Sequence, residues 1–264
     1  MNIFPLPEFV FAMVPSFLKE NDENADLLRE HAGNVVFRHK KGNVNFENGL
    51  FVSIEGNPDH IIYHYNQTPK YAIWLNYQGQ IHREDGPAII RYDDEYCIIM
   101  ELWVINGIFP IFEDDRPQVI TYNYMNGNVE THVWCAQTPI TLENLQMGDP
   151  IWGLIRPHHD IHPAEIIYNA DGTIAEEYWY ILGVIQNNNF DAPAHIEYEY
   201  GVNGEVSIIE EWYRDGEIYR EGNRPAIVEY GRNRVVRREV FYGRAYKTEV
   251  IYDNGRTISN VLPR

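Results

Sequence analysis

Apolar and polar side chains alternate in a set of short segments that recur along the chain. The clearest segment begins at Pro87, and its second, fourth and sixth residues are Ala88, Ile90 and Tyr92. Residues i, i+2 and i+4 of a strand share one face, whereas a helix would need a period of 3.6 residues. The pattern therefore predicts β-strands with one apolar and one mixed face, as in an antiparallel sheet that is solvated on one side.

The same alternation returns in four further segments. The apolar row is Ala88/Ile90/Tyr92, Gln118/Ile120/Tyr122, Ala164/Ile166/Tyr168, Ala194/Ile196/Tyr198 and Ala226/Val228/Tyr230. The leading prolines are Pro87, Pro117, Pro163, Pro193 and Pro225, which step by 30, 46, 30 and 32 residues, and a poorer copy begins at Pro58. A near-constant interval of this size indicates a repeat protein, with one insertion of roughly half a repeat.

We expect the Ala/Ile/Tyr row to be the buried face of the sheet. The opposite row is mixed, as in Ile89/Arg91 and His195/Glu197. If the first row is core, Tyr198→Ala should lower the free energy of unfolding by roughly 3 kcal/mol.

A tryptophan precedes most of the prolines by 13 or 14 residues. These residues are Trp74, Trp103, Trp179 and Trp212. The stretch from tryptophan to proline predicts a polar loop with a glycine turn, and a second turn follows most of the tyrosines. Asp85, Asp115, Asp191 and Asn223 stand two residues before proline, where such side chains commonly bond to backbone N–H groups.

The chain divides into an N-terminal segment, 1–33, and a repeat domain, 34–264, with an insertion at about 133–157. Within the N-terminal segment, residues 18–33 are mostly polar and end in Gly33, which predicts a short helical cap over the first sheet edge. An alternative hypothesis is that Leu6 to Val14 resembles the opening of an F-box, a small helical adaptor. The predicted fold is mainly β: an elongated, twisted antiparallel β-meander of repeated hairpins with this cap.

The formal net charge is −18, from 21 Lys and Arg against 39 Asp and Glu, and it is uneven. Residues 232–264 hold eight basic and three acidic side chains, about +5, so the body carries about −23. This asymmetry indicates either an interaction surface or a contribution to solubility alone. The negative charge of the body opposes nucleic-acid binding by that part of the chain. With no long apolar run and no basic leader, we expect neither membrane insertion nor signal-directed secretion.

Few residues offer chemistry. The run His158-His159-Asp160-Ile161-His162 has metal-ligand residue types, but it also fits a water-exposed loop. Cys97 and Cys135 lie in predicted strands and are expected to be buried. Acidic residues in the tryptophan-to-proline loops predict an acidic row along one sheet edge: Glu84, Asp85, Glu113, Asp114, Asp115, Asp191 and Glu221. Neither a nucleophile elbow nor a phosphate-binding loop is present, so we expect no enzyme and no cofactor.

The best-preserved copy, Trp74 to Tyr92, follows Trp-x(4)-Gly-x-x-His-Arg-x-Asp-Gly-Pro-Ala-x-x-x-Tyr. This unit resembles the MORN-like repeats of giant DNA viruses of amoebae and of some large phages, over about residues 57–231. Later copies lack His-Arg, for example at Ile111-Phe112 and Asn188-Asn189. The resemblance implies a string of β-hairpins that serves as a binding or structural surface, without an enzymatic activity of the repeat.

Two functional hypotheses remain open at this point. The first is a viral structural or scaffold protein in the host cytoplasm and the virion, which binds other virion proteins or further copies of itself. The second is an acidic inhibitor, such as an antitoxin or a host-defence antagonist, which binds a basic protein. MORN-type repeats also occur in bacterial antitoxins.

Overall fold

The structure is a computed structural model, and it describes residues 46–47, 50–51, 58–63, 68–142, 155–242, 246–253 and 256–263. The described residues are mainly β and contain an antiparallel sheet of fourteen strands that is not closed. This confirms the predicted antiparallel β architecture. The predicted cap in 1–33 lies outside the described residues, and the elongated, twisted shape remains a prediction.

The chain forms two compact units, Met1–Asn128 with Gln137–Leu154, and Val129–Ala136 with Ile155–Arg264, here called unit 1 and unit 2. The strands of unit 1 are β1 Phe46–Glu47, β2 Leu50–Phe51, β3 His60–Tyr63, β4 Pro69–Ile73, β5 Ile89–Tyr92, β6 Ile98–Leu102 and β7 Val119–Tyr122. Those of unit 2 are β8 Val129–Val133, β9 Glu165–Tyr168, β10 Ile174–Tyr178, β11 Tyr180–Ile181, β12 Val184–Ile185, β13 His195–Tyr200, β14 Val206–Glu211, β15 Tyr213–Arg214, β16 Glu217–Ile218, β17 Ile227–Gly231, β18 Val235–Tyr242, β19 Tyr246–Asp253 and β20 Arg256–Pro263.

In unit 1 the core lies on the face opposite to the one predicted. Cross-strand pairing from β3 to β7 joins His60, Ile73, Ile89, Leu102 and Val119 in one row. All five are at most 3% exposed. The expected row is buried only at its alanine end, because Ile90, Ile120 and the tyrosines are half-buried. The pattern misled because Arg91 and Thr121 made the true core face look polar.

Tyr198 is likewise half-buried, and its hydroxyl is hydrogen-bonded. The cost of Tyr198→Ala is therefore better placed at roughly 1 to 2 kcal/mol than at the value for full burial.

Each tryptophan-to-proline stretch contains a short hairpin rather than only a polar loop. We call these the secondary hairpins; they are β11–β12, β15–β16 and the bridged segments Leu75–Ile81 and Ile105–Ile108. Three of them turn through successive residues of positive φ, namely Asn106-Gly107, Leu182-Gly183 and Asp215-Gly216. Two positive φ values in a row define the tight turn that matches strand twist. The predicted glycine turns are thus confirmed.

The secondary hairpins also contribute to the core of unit 1. Leu75 and Ile81 form the ends of the first hairpin, and Val104 and Phe109 flank the second. The Ile140 N–H donates to the Gly107 carbonyl in the turn of the second hairpin at 2.7 Å. Each of these five residues is at most 6% exposed. Apolar side chains from the sheet and from the hairpins therefore build this core together.

One backbone hydrogen-bond pattern marks every copy. The tryptophan N–H donates to the carbonyl of the second residue of the next proline segment, from Trp74 to Ala88 and from Trp212 to Ala226, both at 2.9 Å. Trp134 does the same with Ala164 at 2.8 Å, so it is the tryptophan of the third copy, which the sequence pattern missed. The repeat therefore continues into the range assigned to the insertion.

The same bonds locate the insertion within the repeat. The tryptophan carbonyl accepts from the backbone N–H of His82 in the first copy and of His158 in the third, 8 and 24 residues later. The difference of 16 equals the excess of the long proline step, 46 − 30. The additional residues thus fall between Ala136 and Arg156 in the chain, and the backbones of these two residues are hydrogen-bonded at 2.9 Å.

The two cysteines differ in their exposure to solvent. Cys97 lies in the loop directly before β6 and is exposed, which corrects the prediction that it is a buried strand residue, whereas Cys135 is buried as expected. In the part of the chain that is described, no helix combines the length and the apolar character needed to cross a membrane.

Candidate functional site

The residues of the repeat motif form a local cage in the best-preserved copy. The Arg83 guanidinium lies 4.4 Å from the ring centre of Trp74. It donates to the Asp85 carboxylate at 2.8 Å and to the Pro87 carbonyl at 3.4 Å. A Cβ on Gly86 would lie 2.9 Å from the arginine, so glycine leaves room for it. The Trp, Arg, Asp, Gly and Pro of the motif therefore serve packing of the loop.

The same cage recurs with other donors. In the last copy Arg220 lies 3.6 Å from the ring centre of Trp212 and donates to the Pro225 carbonyl at 3.2 Å. In the fourth copy the side-chain amide of Asn187 donates to the Pro193 carbonyl at 2.8 Å. The lost His-Arg pair is thus replaced by a different donor to the same kind of acceptor.

Four of the loop carboxylates pair with arginines: Asp85, Asp114, Asp191 and Glu221. Asp191 accepts from Arg224 at 2.6 Å, and Asp114 lies 3.5 Å from Arg116. Asp115 and Asn223 have φ values of 57° and 55°, a conformation that Asp and Asn adopt more readily than most residues. These positions shape the loop.

The tyrosines at the end of each proline segment form what we call the tyrosine row: Tyr92, Tyr122, Tyr168, Tyr198 and Tyr230. All are half-buried, and their hydroxyls bond to a side chain on the neighbouring strand in four copies: Tyr122 to Glu101 at 2.7 Å, Tyr168 to His132 at 3.1 Å, Tyr198 to Glu177 at 2.6 Å and Tyr230 to Glu210 at 3.2 Å. The rings are therefore held in fixed orientations on one face of the sheet.

The opposite face of unit 2 holds an ionisable cluster. Cross-strand pairing there joins Val133, Glu165, Tyr178, His195, Glu211, Ile227 and Val240 in one row. The row occupies the repeat positions that hold Ile73, Ile89, Leu102 and Val119 in unit 1. Four consecutive core positions thus carry polar side chains. We call Glu165, Glu176, Tyr178, His195 and Glu211 the ionisable cluster.

His195 lies at the centre of this cluster with both ring nitrogens bonded. Nδ1 is 3.0 Å from Glu211 Oε2, and Nε2 is 3.2 Å from Glu176 Oε2. The Tyr178 ring stacks on the imidazole with centres 4.2 Å apart, and its hydroxyl donates to Glu176. Tyr213, at the start of β15, donates to Glu211 at 2.8 Å. The imidazole side chain is only 11% exposed.

The environment separates the pKa values of these groups. Burial lowers the pKa of His195, but the hydrogen bonds and charges of Glu211 and Glu176 outweigh it, so that the pKa is raised. The His195 hydrogen bond is the largest influence on Glu211 and holds its pKa below the usual range. Burial raises the pKa of Glu165. The arrangement therefore stabilises an imidazolium between two carboxylates.

The histidines at 158–162 are half-buried, which corrects the prediction of a water-exposed loop, although Asp160 and Ile161 are exposed. The rings of His159 and His162 stack with centres 3.4 Å apart, and His162 packs on Trp134 at 4.4 Å. His159 Nδ1 accepts the backbone N–H of His162 at 3.1 Å. These contacts order the turn that leads into Pro163.

Sequence inspection missed the ionisable cluster because its members are 46 residues apart, from Glu165 to Glu211. A signal was nevertheless present. The second residue after each proline is Ile89, Val119, Glu165, His195 and Ile227, so two copies break an apolar column. Breaks of this kind often mark functional or strained positions.

Comparison with known proteins gave no relative: no family model, no curated protein and no solved structure matches the chain.

Proposed function

We propose that this chain is a non-enzymatic repeat protein that binds other proteins, and that it acts as a structural or scaffold component of a virion. The viral role is supported by the sequence resemblance of Trp74 to Tyr92 to MORN-like repeats. The binding role is supported by the tyrosine row.

The single observation behind the binding role is the spacing and fixation of these tyrosines. In unit 2, Tyr168, Tyr198 and Tyr230 lie on β9, β13 and β17, which are two strands apart in the sheet. Strands are about 4.8 Å apart, so the rings recur every ~10 Å. Tyrosine is enriched in protein interfaces because a stiff ring gives a large contact area at a low cost in conformational entropy.

The ionisable cluster does not favour catalysis. Both nitrogens of His195 are bonded to carboxylates, at 3.0 and 3.2 Å, so the ring holds its proton within the protein instead of presenting a base to a substrate. Its hydrogen bonds join β10, β13 and β14. We therefore propose a structural role for the cluster, namely fixing the register of these strands.

A second candidate function is the acidic inhibitor, and one observation favours it. Three of the tyrosine partners are glutamates, Glu101, Glu177 and Glu210, so the tyrosine row is flanked by negative charge in a chain of net charge −18. Such a face would attract a basic protein surface and speed its capture.

The experiment is affinity capture of the tagged protein from infected or native cells at low and high salt, with identification of the co-purified proteins. Wild type is compared with Tyr198→Thr, which keeps β propensity but removes a ring from the row. Tyr124→Thr is the matched control, because Tyr124 is 71% exposed and lies in a turn of unit 1. Thermal unfolding of each variant checks folding.

Recovery of virion proteins at both salt concentrations, reduced by Tyr198→Thr but not by Tyr124→Thr, would support the scaffold. One basic partner that is lost at high salt would support the inhibitor instead. Equal recovery with both variants would exclude the tyrosine row as the binding surface.

A further inference from the structure

A cavity of about 300 Å³ opens in unit 2 between the loop at 188–191 and the hairpin and loop at 213–224. Its lining includes Arg214, Arg220 and Arg224. A concentration of guanidinium groups is unexpected in a chain of net charge −18. Cavities of this size are at the lower limit for small-molecule sites.

The charges that line the cavity leave an excess of one positive charge. Arg214 pairs with Glu221, and Arg224 pairs with Asp191 at 2.6 Å. Among the described residues, the hydrogen bonds of Arg220 go to the backbone carbonyls of Pro225, at 3.2 Å, and Asp191, at 3.5 Å. Three guanidinium groups therefore face two carboxylates.

Arg220 is the group best placed to receive an anion. Its Nε is buried and has no hydrogen-bond partner among the described residues. Burial, and then the charge of Arg224, lower the pKa of Arg220. A buried donor without an acceptor is costly, and an anion held in the cavity would offset the repulsion between Arg220 and Arg224.

Aromatic rings provide the apolar part of the lining. Phe190 and Tyr219 are 54% and 40% exposed, and the Arg214 guanidinium lies 5.5 Å and 5.9 Å from their ring centres. Exposed rings next to cationic groups suit a ligand that has both a flat apolar part and a negative charge.

The last repeat alone has arginine both at the second position after tryptophan and at the position before proline. The second residue after tryptophan is Asn76, Ile105, Ala136 and Ile181 in the other copies and Arg214 here. The residue before proline is Gly86, Arg116, His162 and Ala192 in those copies and Arg224 here. The repeat fold therefore does not require an arginine at either of these two positions.

We propose that this cavity binds a small aromatic monocarboxylate. One negative charge balances the excess of one positive charge, whereas a multiply charged anion would be repelled by the rest of the acidic chain. A carboxylate also matches the fork of an arginine side chain, and the rings of Phe190 and Tyr219 accommodate the aromatic part.

The test is titration of the full chain with benzoate, in which the NMR resonance of the Arg220 Nε–H group reports binding. Benzamide is the neutral isostere, and acetate lacks the ring. We expect a saturable shift with benzoate. Benzamide should bind at least about tenfold more weakly, because it lacks the charge-assisted hydrogen bond. Acetate should also bind more weakly than benzoate, because it lacks the ring that packs on Phe190 and Tyr219.

Two variants locate the site. Arg224→Gln should weaken benzoate binding about tenfold. Arg220→Lys keeps the positive charge but removes the guanidinium fork, and it should weaken benzoate binding by a similar factor. Arg232→Gln is the matched control, because Arg232 is exposed, pairs with Glu205 and does not line the cavity. The proposal is overturned if benzoate gives no saturable shift, if benzamide binds as well, or if Arg224→Gln and Arg232→Gln bind benzoate equally.

Discussion

Asp59 occupies a place that alanine holds in four of the five later copies. It is 8% exposed, and its carboxylate accepts the backbone N–H of Leu75 at 2.7 Å. Burial outweighs this bond and raises the pKa of Asp59 to about 6. Because the folded-state pKa exceeds the unfolded value of 3.8, this group contributes stability below pH 3.8 that is lost as pH rises through about 6.

Asp59→Asn keeps the acceptor for Leu75 and removes the charge. We expect the variant to be more stable than wild type at neutral to alkaline pH by on the order of 2 kcal/mol, and nearly equal to it in acid. Urea denaturation across this pH range measures the difference. Parallel curves for the two proteins would mean that Asp59 ionises as easily in the folded as in the unfolded chain.

Leu182 is another residue in an unfavourable setting. Its φ is 50°, in the turn between β11 and β12, and its side chain is 60% exposed. A leucine at positive φ strains the backbone, whereas an asparagine adopts this left-handed conformation more readily. We expect Leu182→Asn to raise the free energy of unfolding by about 1 kcal/mol. The reverse exchange at the matching position, Asp215→Leu, should lower the melting temperature; a stabilised Asp215→Leu variant would contradict the argument.

The sequence predicted most turns and strands at this scale because glycine and proline act through local geometry. The turn at Leu182-Gly183 was found from Gly183 alone. Burial was predicted less well: Arg91 and Thr121 lie on the core face of unit 1 and are half-buried and 5% exposed. A pattern of residue types cannot show which polar side chains tertiary packing covers.

At the scale of elements, two features could not be predicted from the sequence: the secondary hairpins and the row from Glu165 to Glu211. The hairpins are only two residues per strand in β11, β12, β15 and β16, too short for alternation to be recognised. The ionisable row depends on which residues face each other across β9, β10, β13 and β14. That register follows from tertiary pairing, not from any one segment.

His195 should make this part of the sheet sensitive to pH. Its folded-state pKa is raised, so its contribution to stability is present below the unfolded value of 6.5 and is lost as pH rises through the folded value. We expect hydrogen exchange in β13 to accelerate from mildly acidic to mildly alkaline pH, beyond the chemical trend. His195→Gln should abolish this additional acceleration. If the acceleration persists in His195→Gln, another group is responsible.

At the scale of the whole molecule, net charge is the dominant electrostatic feature. A charge of −18 repels itself in the compact state. The exposed ion pairs, such as Arg83 with Asp85, are expected to contribute little in return.

Added sodium chloride should therefore raise the melting temperature, because the screening length shortens to about 3 Å near 1 M. Thermal unfolding in low and high salt measures the change, and an equal osmolality of a neutral sugar is the control. A melting temperature that falls with salt would show that the ion pairs outweigh the repulsion.

The placement of the extra residues between Ala136 and Arg156 has a consequence for how such a chain can change. On both sides of them the bonds of Trp134 keep the distances found in the other copies. Residues can therefore be inserted at the tip of a secondary hairpin without shifting the strands of the sheet. New segments could be acquired there in evolution, or grafted by design, one repeat at a time.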